Sequence, residues 1–157
     1  MPETFIDYET DKGFGISEAF LEVLSNFICQ VFEEKGLANK SEWYLNLYNE
    51  FDIARKGLRQ GYLGFLLKKF LNDQVKEQEF VSILKATKSK IQNKGTEIRI
   101  QDLNSLEKNK PKDVFKNNWT IPIKTKDLVN VLDILIKMIN GEWQSTTHRV
   151  IFEGFGK

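Results

Sequence analysis

The stretch ISEAFLEVLSNFICQVFEEKG, residues 16–36, is the strongest structural signal in the chain. Apolar residues recur in it every three or four positions from Ile16 to Val31, which is the spacing of one face of an α-helix. Further apolar residues between them widen that face. Ser17 is suited to cap the first turn, and Gly36 is suited to end the last one. The stretch therefore predicts a helix that is buried over a broad face.

Three more helices are predicted in the first part of the chain, after an extended lead. The second helix starts at Ser41, the third covers residues 62–71, and the fourth covers residues 73–95. Lysines near the end of the fourth helix suit the negative end of its dipole, and a glycine follows them. Residues 1–15 contain a glycine turn and are predicted to be extended.

The pattern changes after these helices. Residues 97–101 alternate between polar and apolar and predict a short strand, whereas residues 102–118 are polar and lysine-rich and predict a long loop. Residues 119–123 predict a second strand. A strongly apolar helix is predicted for residues 125–140, and residues 147–153 predict a final strand.

These elements predict one domain spanning residues 1–157 and belonging to the α+β class. Its predicted architecture is an N-terminal bundle of about four helices, followed by a small, mainly antiparallel sheet with one further helix. Because 41% of the residues are hydrophobic, the chain can form a core, which excludes intrinsic disorder. The apolar runs are too short for a transmembrane helix, so no membrane partner is expected. A single cysteine favours a reducing compartment, and a cytoplasmic location is expected.

Few catalytic chemistries fit the residue types present. Because His148 is the only histidine, no metal site with two imidazoles is expected, and no glycine-rich phosphate loop occurs. No cofactor is therefore predicted. The only cysteine, Cys29, falls inside the predicted first helix without a neighbouring base, which favours a structural role. An enzyme would have to depend on one of these two residues, and we expect none of the residues to be catalytic.

A short motif near the end of the chain resembles a known metal-binding segment. Residues 140–150, NGEWQSTTHRV, are similar to the region around the distal metal histidine of 2-oxoglutarate and isopenicillin-N-synthase-type iron oxygenases. That resemblance implies His148 as an iron ligand. The chemistry of those enzymes needs a second histidine and a carboxylate on the same metal. Since this chain has no second histidine, the motif does not predict an iron site.

The charges are divided unevenly along the chain. Residues 1–52 contain eleven acidic and three basic residues, whereas residues 53–157 contain twenty basic and eleven acidic ones. Such a division predicts a charged partner surface. An equally open interpretation is that the acidic part of the chain packs against the basic part within one fold.

The sequence predicts a small α+β domain that has no cofactor motif, an acidic helical first third and tyrosines beside carboxylates. In these features the chain resembles the immunity proteins of bacterial contact-dependent inhibition and related polymorphic toxin systems. The resemblance implies that the chain forms a heterodimer with a cognate toxin domain and blocks its active site or substrate surface without catalysis of its own. Many such toxins are nucleases, so an acidic surface would take the place of phosphates. The residues expected to bind the partner are Asp7, Glu9, Asp11, Glu18, Glu22, Glu33, Glu34, Glu42, Tyr44, Tyr48, Glu50 and Asp52.

The alternative function is that of a nucleic-acid-associated accessory protein. Residues 85–116 contain nine basic and four acidic residues and could contact phosphates. Replacement of Lys108, Lys110 and Lys112 by glutamate should then abolish salt-sensitive binding. The aromatic residues do not interleave with these lysines, which favours a solvated surface and makes nucleic acid the less expected partner.

Overall fold

The computed structural model has an α+β fold and describes residues 3–9, 12–58 and 65–155. Within those ranges, five helices accompany a four-stranded sheet and a two-stranded sheet. The elements in chain order are β1 (Glu3–Glu9), β2 (Lys12–Ser17), α1 (Glu18–Lys35), α2 (Glu42–Arg55), β3 (Phe65–Leu66), α3 (Gln74–Gln92), β4 (Glu97–Ile98), α4 (Ile100–Lys108), β5 (Ile123–Lys124), α5 (Thr125–Ile139) and β6 (His148–Arg149).

An antiparallel hairpin of β1 and β2 forms the centre of the larger sheet. In β1 the side chains of Thr4, Ile6 and Tyr8 are buried and alternate with more exposed ones, as in a strand with one face on the core. Tyr8 donates a hydrogen bond to Glu77 of α3, so the strand is tied to a helix far along the chain. Close contact between β1 and β2 is possible because Gly13 has no side chain.

The strand order of this sheet is β3-β1-β2-β6, so strands from the middle and end of the chain form its edges. β3 pairs parallel with β1, and β6 pairs parallel with β2. The smaller sheet consists of β4 and β5, which pair antiparallel through Ile98 and Ile123. The strands predicted at 97–101, 119–123 and 147–153 each overlap a strand of only two residues, and most of each predicted range is not strand. β4 and β5 form a sheet of their own, whereas β6 joins the larger sheet.

Helix α1 is the centre of the hydrophobic core, since fourteen of its eighteen residues are buried. It packs against α2, α3 and α4, and α3 in turn packs against α5. At its start, the ring of Phe20 stacks on Phe152, with their centroids 3.9 Å apart. Near its end, Phe32 contacts the rings of Tyr44 and Phe80. These aromatic contacts bring α2, α3 and the segment after β6 onto one central helix.

The predicted architecture is wrong, because the described residues form neither an N-terminal four-helix bundle nor a sheet confined to the later part of the chain. The fold begins with the hairpin, and the predicted extended lead supplies its strands. The sheet is not mainly antiparallel either, since β3 and β6 both pair parallel with their neighbours. Long-range pairing of this kind has no local signal in the sequence.

Two elements were also predicted with the wrong type. The predicted third helix, 62–71, contains β3 and a turn instead, with residues 62–64 outside the described ranges. A short run that is apolar at almost every position fits a buried strand as well as a helix. The predicted loop 102–118 begins with most of α4, whose apolar residues Ile100, Leu103 and Leu106 recur every three positions.

The other helices are confirmed near their predicted limits. α1, α2, α3 and α5 start and end within a few residues of the expected positions. Asp73 caps α3 as its short polar side chain allows, accepting a hydrogen bond from the backbone N–H of Lys76 at 2.9 Å. No helix among the described residues is long and apolar enough to cross a membrane.

We predict that Gly13→Ala destabilises the fold by about 2 kcal/mol or more, as expected for overpacking against a rigid neighbour. The added Cβ would lie 2.0 Å from the carbonyl oxygen of Ile6 and 2.8 Å from Cα of Asp7, both in the backbone of β1. Gly15→Ala is the matched control, because its added Cβ would make ordinary van der Waals contacts. The nearest atoms would be side-chain atoms of Glu3 and Arg149 at 3.4 and 3.6 Å and the His148 carbonyl oxygen at 3.9 Å. Urea unfolding of both variants checks this, and equal stabilities would contradict it.

Candidate functional site

The predicted partner-binding residues fall into separate groups and do not form one surface. Glu18, Glu22 and Tyr44 are buried, with exposures of 5%, 4% and 3%, so they are not available to a partner. Asp7 and Glu9 lie on β1, and Asp11 lies outside the described residues. The remaining members surround α2 or the end of α1 that packs beside it: Glu33, Glu34, Glu42, Tyr48, Glu50 and Asp52.

A hydrogen-bonded cluster joins the end of α1 to the end of α2. Nη2 of Arg55 donates to Glu33 Oε2 at 2.8 Å, and its Nε donates to Asp52 Oδ1 at 2.8 Å. The hydroxyl of Tyr48 donates to Glu33 Oε2 at 2.7 Å. Lys56 Nζ contacts the other oxygen of Asp52 at 2.8 Å. Two acidic and two basic groups therefore hold these half-exposed side chains in one arrangement.

Burial and the hydrogen bonds of the cluster shift the pKa values of Asp52 and Tyr48. Burial acts to raise the pKa of Asp52, but hydrogen bonds from Lys56 and Arg55 outweigh burial, so the pKa lies below its usual value. Burial, followed by the hydrogen bond to Glu33, raises the pKa of Tyr48. At neutral pH Asp52 is therefore ionised and Tyr48 is neutral. The stability that Asp52 contributes is complete at neutral pH and is lost as the pH falls through its lowered folded-state pKa.

The outer face of α2 is acidic and at least half-exposed. Its exposed or half-exposed residues recur at helical spacing: Glu42, Asn46, Asn49, Glu50 and Ile53. No lysine or arginine occurs between residues 41 and 54, and the first base of the helix is Arg55 at its end. The opposite face of α2 is buried against α1 and the core. This face, together with Tyr48 and its cluster, is the candidate functional site.

The structure also pairs acidic residues of the first third with basic residues of the rest. Glu34 contacts Lys90 at 2.6 Å, and Glu9 contacts Lys68 at 3.1 Å. Arg55, Lys56 and Lys110 make similar contacts, and Arg149 pairs with Glu3. Much of the uneven charge distribution is thus neutralised within the fold, as the self-complementary interpretation predicted.

A buried ion cluster lies beneath the end of α2, and sequence reasoning missed it. Lys110 Nζ donates to Glu22 Oε1 and to Glu107 Oε1, each at 2.6 Å, and its side chain is only 2% exposed. Glu107 also accepts from the backbone N–H of Asn117 at 2.8 Å and from Trp119 Nε1 at 3.0 Å. The cluster joins α1, α4 and the loop between α4 and β5. Since 88 positions separate Lys110 from Glu22, only a spatial model could find the pair.

This burial weakens the nucleic-acid alternative. Lys110 is enclosed and cannot reach a phosphate, and Lys88 and Lys90 are already paired with carboxylates. Lys116 donates to carbonyl oxygens of its own loop, as at Pro111. The exposed bases of the 85–116 stretch with no such contact shown are Lys85, Lys94, Lys108 and Lys112. A charge-reversal test of nucleic-acid binding should therefore leave Lys110 unchanged, since its substitution would disturb the fold.

Cys29 and His148 lie in different environments. Cys29 is fully buried on α1, and burial raises its thiol pKa to about 12. His148 is exposed on β6, where its ring meets Trp143 edge-on with centroids 5.2 Å apart. Among the described residues, no group of three or more histidine, cysteine or acidic side chains could hold a metal ion.

Two hollows in the described surface are poorly suited to a substrate. One, of about 60 Å³, lies between the hairpin and the end of α5 and is lined by residues such as Tyr8, Met138 and Trp143. The other, about 430 Å³, is a shallow depression beside the start of α5, near Thr125 and Asp133. The first is far smaller than a typical ligand pocket, and the second lacks the enclosure that such a pocket provides.

Comparison of the chain with protein-family models, curated proteins and solved structures found no match. The resemblances to iron oxygenases and to immunity proteins therefore stay predictions from the sequence.

We predict that Lys110→Met lowers the free energy of unfolding by about 3–5 kcal/mol, because it leaves two buried carboxylates without their shared cation. Lys112→Met is the matched control on the same loop, and its exposed side chain should change stability by less than about 0.5 kcal/mol. The combination of Lys110→Met with Glu22→Gln and Glu107→Gln should recover about half of the loss. Urea unfolding measures all three proteins, and a stable Lys110→Met variant would contradict the prediction.

We predict that Cys29 is not alkylated in the folded protein. At about pH 8, a thiol with a pKa of about 12 is ionised in about one molecule in ten thousand, and here it is also fully enclosed. Iodoacetamide followed by mass spectrometry measures the reaction. The urea-unfolded chain is the control and should be labelled, whereas equal labelling of both states would show that the thiol is accessible.

Proposed function

We propose that this chain is an immunity protein that binds a cognate toxin domain and blocks its active site or substrate surface, acting without catalysis of its own. The outer face of α2 is the proposed contact surface. The observation that carries the proposal is the arrangement of this face: exposed or half-exposed acidic and amide side chains without an intervening base, beside a tyrosine held in place by Arg55 and Glu33.

The mechanism follows from charge and preorganisation. A toxin that cuts nucleic acid needs a basic groove, and Glu42 and Glu50 would face such a groove where phosphates otherwise lie. Opposite charges accelerate the encounter of the two proteins. Tyr48 offers a large, partly exposed ring with little conformational freedom left to lose, since its hydroxyl is already hydrogen-bonded. Ile53, with 38% exposure, adds an apolar contact at the end of the same face.

The proposed surface is narrower than the sequence predicted. The buried Glu18, Glu22 and Tyr44 support the fold instead of the contact. Glu9 lies on β1 of the hairpin and not on α2 or the end of α1, so it is not included. The proposal therefore concerns the half-exposed and exposed residues around α2: Glu33, Glu34, Glu42, Tyr48, Glu50 and Asp52.

The direct test uses the protein encoded immediately upstream of this chain's gene, since immunity genes usually follow their toxin genes. Induction of that protein in a bacterial host should arrest growth, and co-expression of this chain should restore it. Glu42→Lys combined with Asn46→Lys should weaken binding at least about tenfold, because it reverses the charge of the α2 face. Isothermal titration of the two purified proteins measures that change.

A matched control places the same change of charge on another helix. Gln101→Lys combined with Asp102→Lys alters two exposed residues of α4 and should leave protection and affinity unchanged. If wild type fails to restore growth, or if both double variants lose affinity equally, the proposal is wrong. Recovery of nucleic acid with the purified chain, lost on substitution of Lys108 and Lys112 by glutamate, would favour the alternative function instead.

A further inference from the structure

The described surface has an unusual concentration of exposed apolar side chains at one end of α2. Five large hydrophobic residues are exposed in the described part of the chain, and three of them belong to two adjoining segments. Ile53 and Leu58 lie at and just beyond the end of α2, with exposures of 38% and 47%. Phe115 lies on the α4–β5 loop and is 65% exposed. We call Ile53, Leu58 and Phe115 the apolar patch.

Close packing brings the two segments of the apolar patch together. A Cβ added to Gly57, next to Leu58, would lie 2.7 Å from Cγ1 of Val114, next to Phe115. The loop that carries Phe115 is anchored to α1 and α4 by the ion pairs of Lys110 with the buried Glu22 and Glu107. Lys116 also donates hydrogen bonds to backbone carbonyl oxygens within the same loop. Phe115 is therefore held on an ordered support although its ring faces solvent.

The charges on either side of the apolar patch have opposite signs. On the α2 side lies the outer face, whose exposed acidic side chain is Glu42, and no base precedes Arg55 in that helix. On the other side the loop and the end of α4 carry exposed lysines at 108 and 112, and Asp113 is the exposed acidic residue beside them. The surface thus changes from acidic to basic along the direction of α2, with the apolar patch between the two parts.

A surface with an apolar centre, one acidic side and one basic side is complementary to the same surface on a second copy related by a twofold rotation. A twofold axis through the apolar patch places the acidic α2 face of each copy opposite the basic loop of the other, and apolar side chains opposite apolar side chains. We propose that the apolar patch and its two charged flanks bind a second copy of this chain as a symmetric dimer. This inference is independent of the proposed function, although both use the α2 face and a toxin would compete with the second copy.

Nucleic acid fits the same surface less well. A strand of phosphates would be attracted to the lysines of the loop but repelled by the acidic face of α2 that adjoins them. Of the basic side chains near Phe115, Lys110 is buried and Lys116 is engaged with carbonyl oxygens. Strong binding to nucleic acid normally uses several free cationic contacts. A partner that is both acidic and basic matches the described charges better.

Sedimentation equilibrium of the purified chain tests the proposal directly. The mass should rise from 18.3 kDa towards twice that value as the concentration increases. Phe115→Ser should raise the dimer dissociation constant at least about tenfold, because each interface contains the ring twice. Ile151→Ser is the matched control: Ile151 is 66% exposed but lies beyond β6, and its loss should have no effect. A mass that stays at 18.3 kDa at all concentrations, or equal effects of both variants, would overturn the proposal.

A charge-exchange experiment separates this pairing from general apolar association. Glu42→Lys alone and Lys112→Glu alone should each weaken the dimer, because each creates two contacts between like charges. An equimolar mixture of the two variants should dimerise again, since every acidic flank then faces a basic one. If the mixture is as weak as its components, the twofold arrangement is wrong. Circular dichroism confirms that each variant is folded, and absorbance at 260 nm shows whether nucleic acid is bound instead.

Discussion

The burial of α1 on almost every side is the constraint on which the other elements depend. A helix that exposes so little surface must be covered by several partners at once, and here β2, α2, α3 and α4 cover it. The covering elements come from distant parts of the chain, so the core forms only when those parts meet. Two glutamates lie within the buried part of α1, and each needs polar contacts there because a buried carboxylate without them is strongly destabilising. Thr4 supplies one such contact to Glu18, and Lys110 supplies one to Glu22.

This requirement explains which structural features could be predicted from the sequence. Periodic apolar residues and end signals are local, so α1, α2, α3 and α5 are close to their predicted limits. The segment around Phe65 has no such period, and its partner strand β1 lies some sixty residues earlier. Likewise, nothing near Lys110 in the sequence indicates that it is buried, because all six lysines from residue 108 to residue 126 look equally solvated until α1 is placed beside them. Local patterns identified the helices, whereas the sheet order and the buried charges depend on three-dimensional packing.

In the candidate site, too, some features follow from local sequence and others depend on three-dimensional packing. Its acidic character follows from the composition of residues 41–54, and Tyr48 belongs to it as expected. The sequence did not distinguish Tyr48 from Tyr44, although they are one helical turn apart. Tyr44 turns towards Phe32 and the core, whereas Tyr48 extends its hydroxyl to Glu33 near the surface. Arg55 and its hydrogen bonds were not predicted, because they depend on the angle at which α2 crosses the end of α1.

The order of the strands has a consequence for synthesis on the ribosome. The two central strands are made before the described helices, and the edge strand β6 is made about 130 residues later, after those helices. At a synthesis rate of about 5–20 residues per second, β6 is made many seconds after the hairpin that it joins. During this time the acidic first third also lacks the cations of Lys90, Lys110 and Arg149, and its like charges repel one another. The larger sheet therefore gains its β6 edge late in synthesis, and the acidic first third gains these three ion pairs late as well.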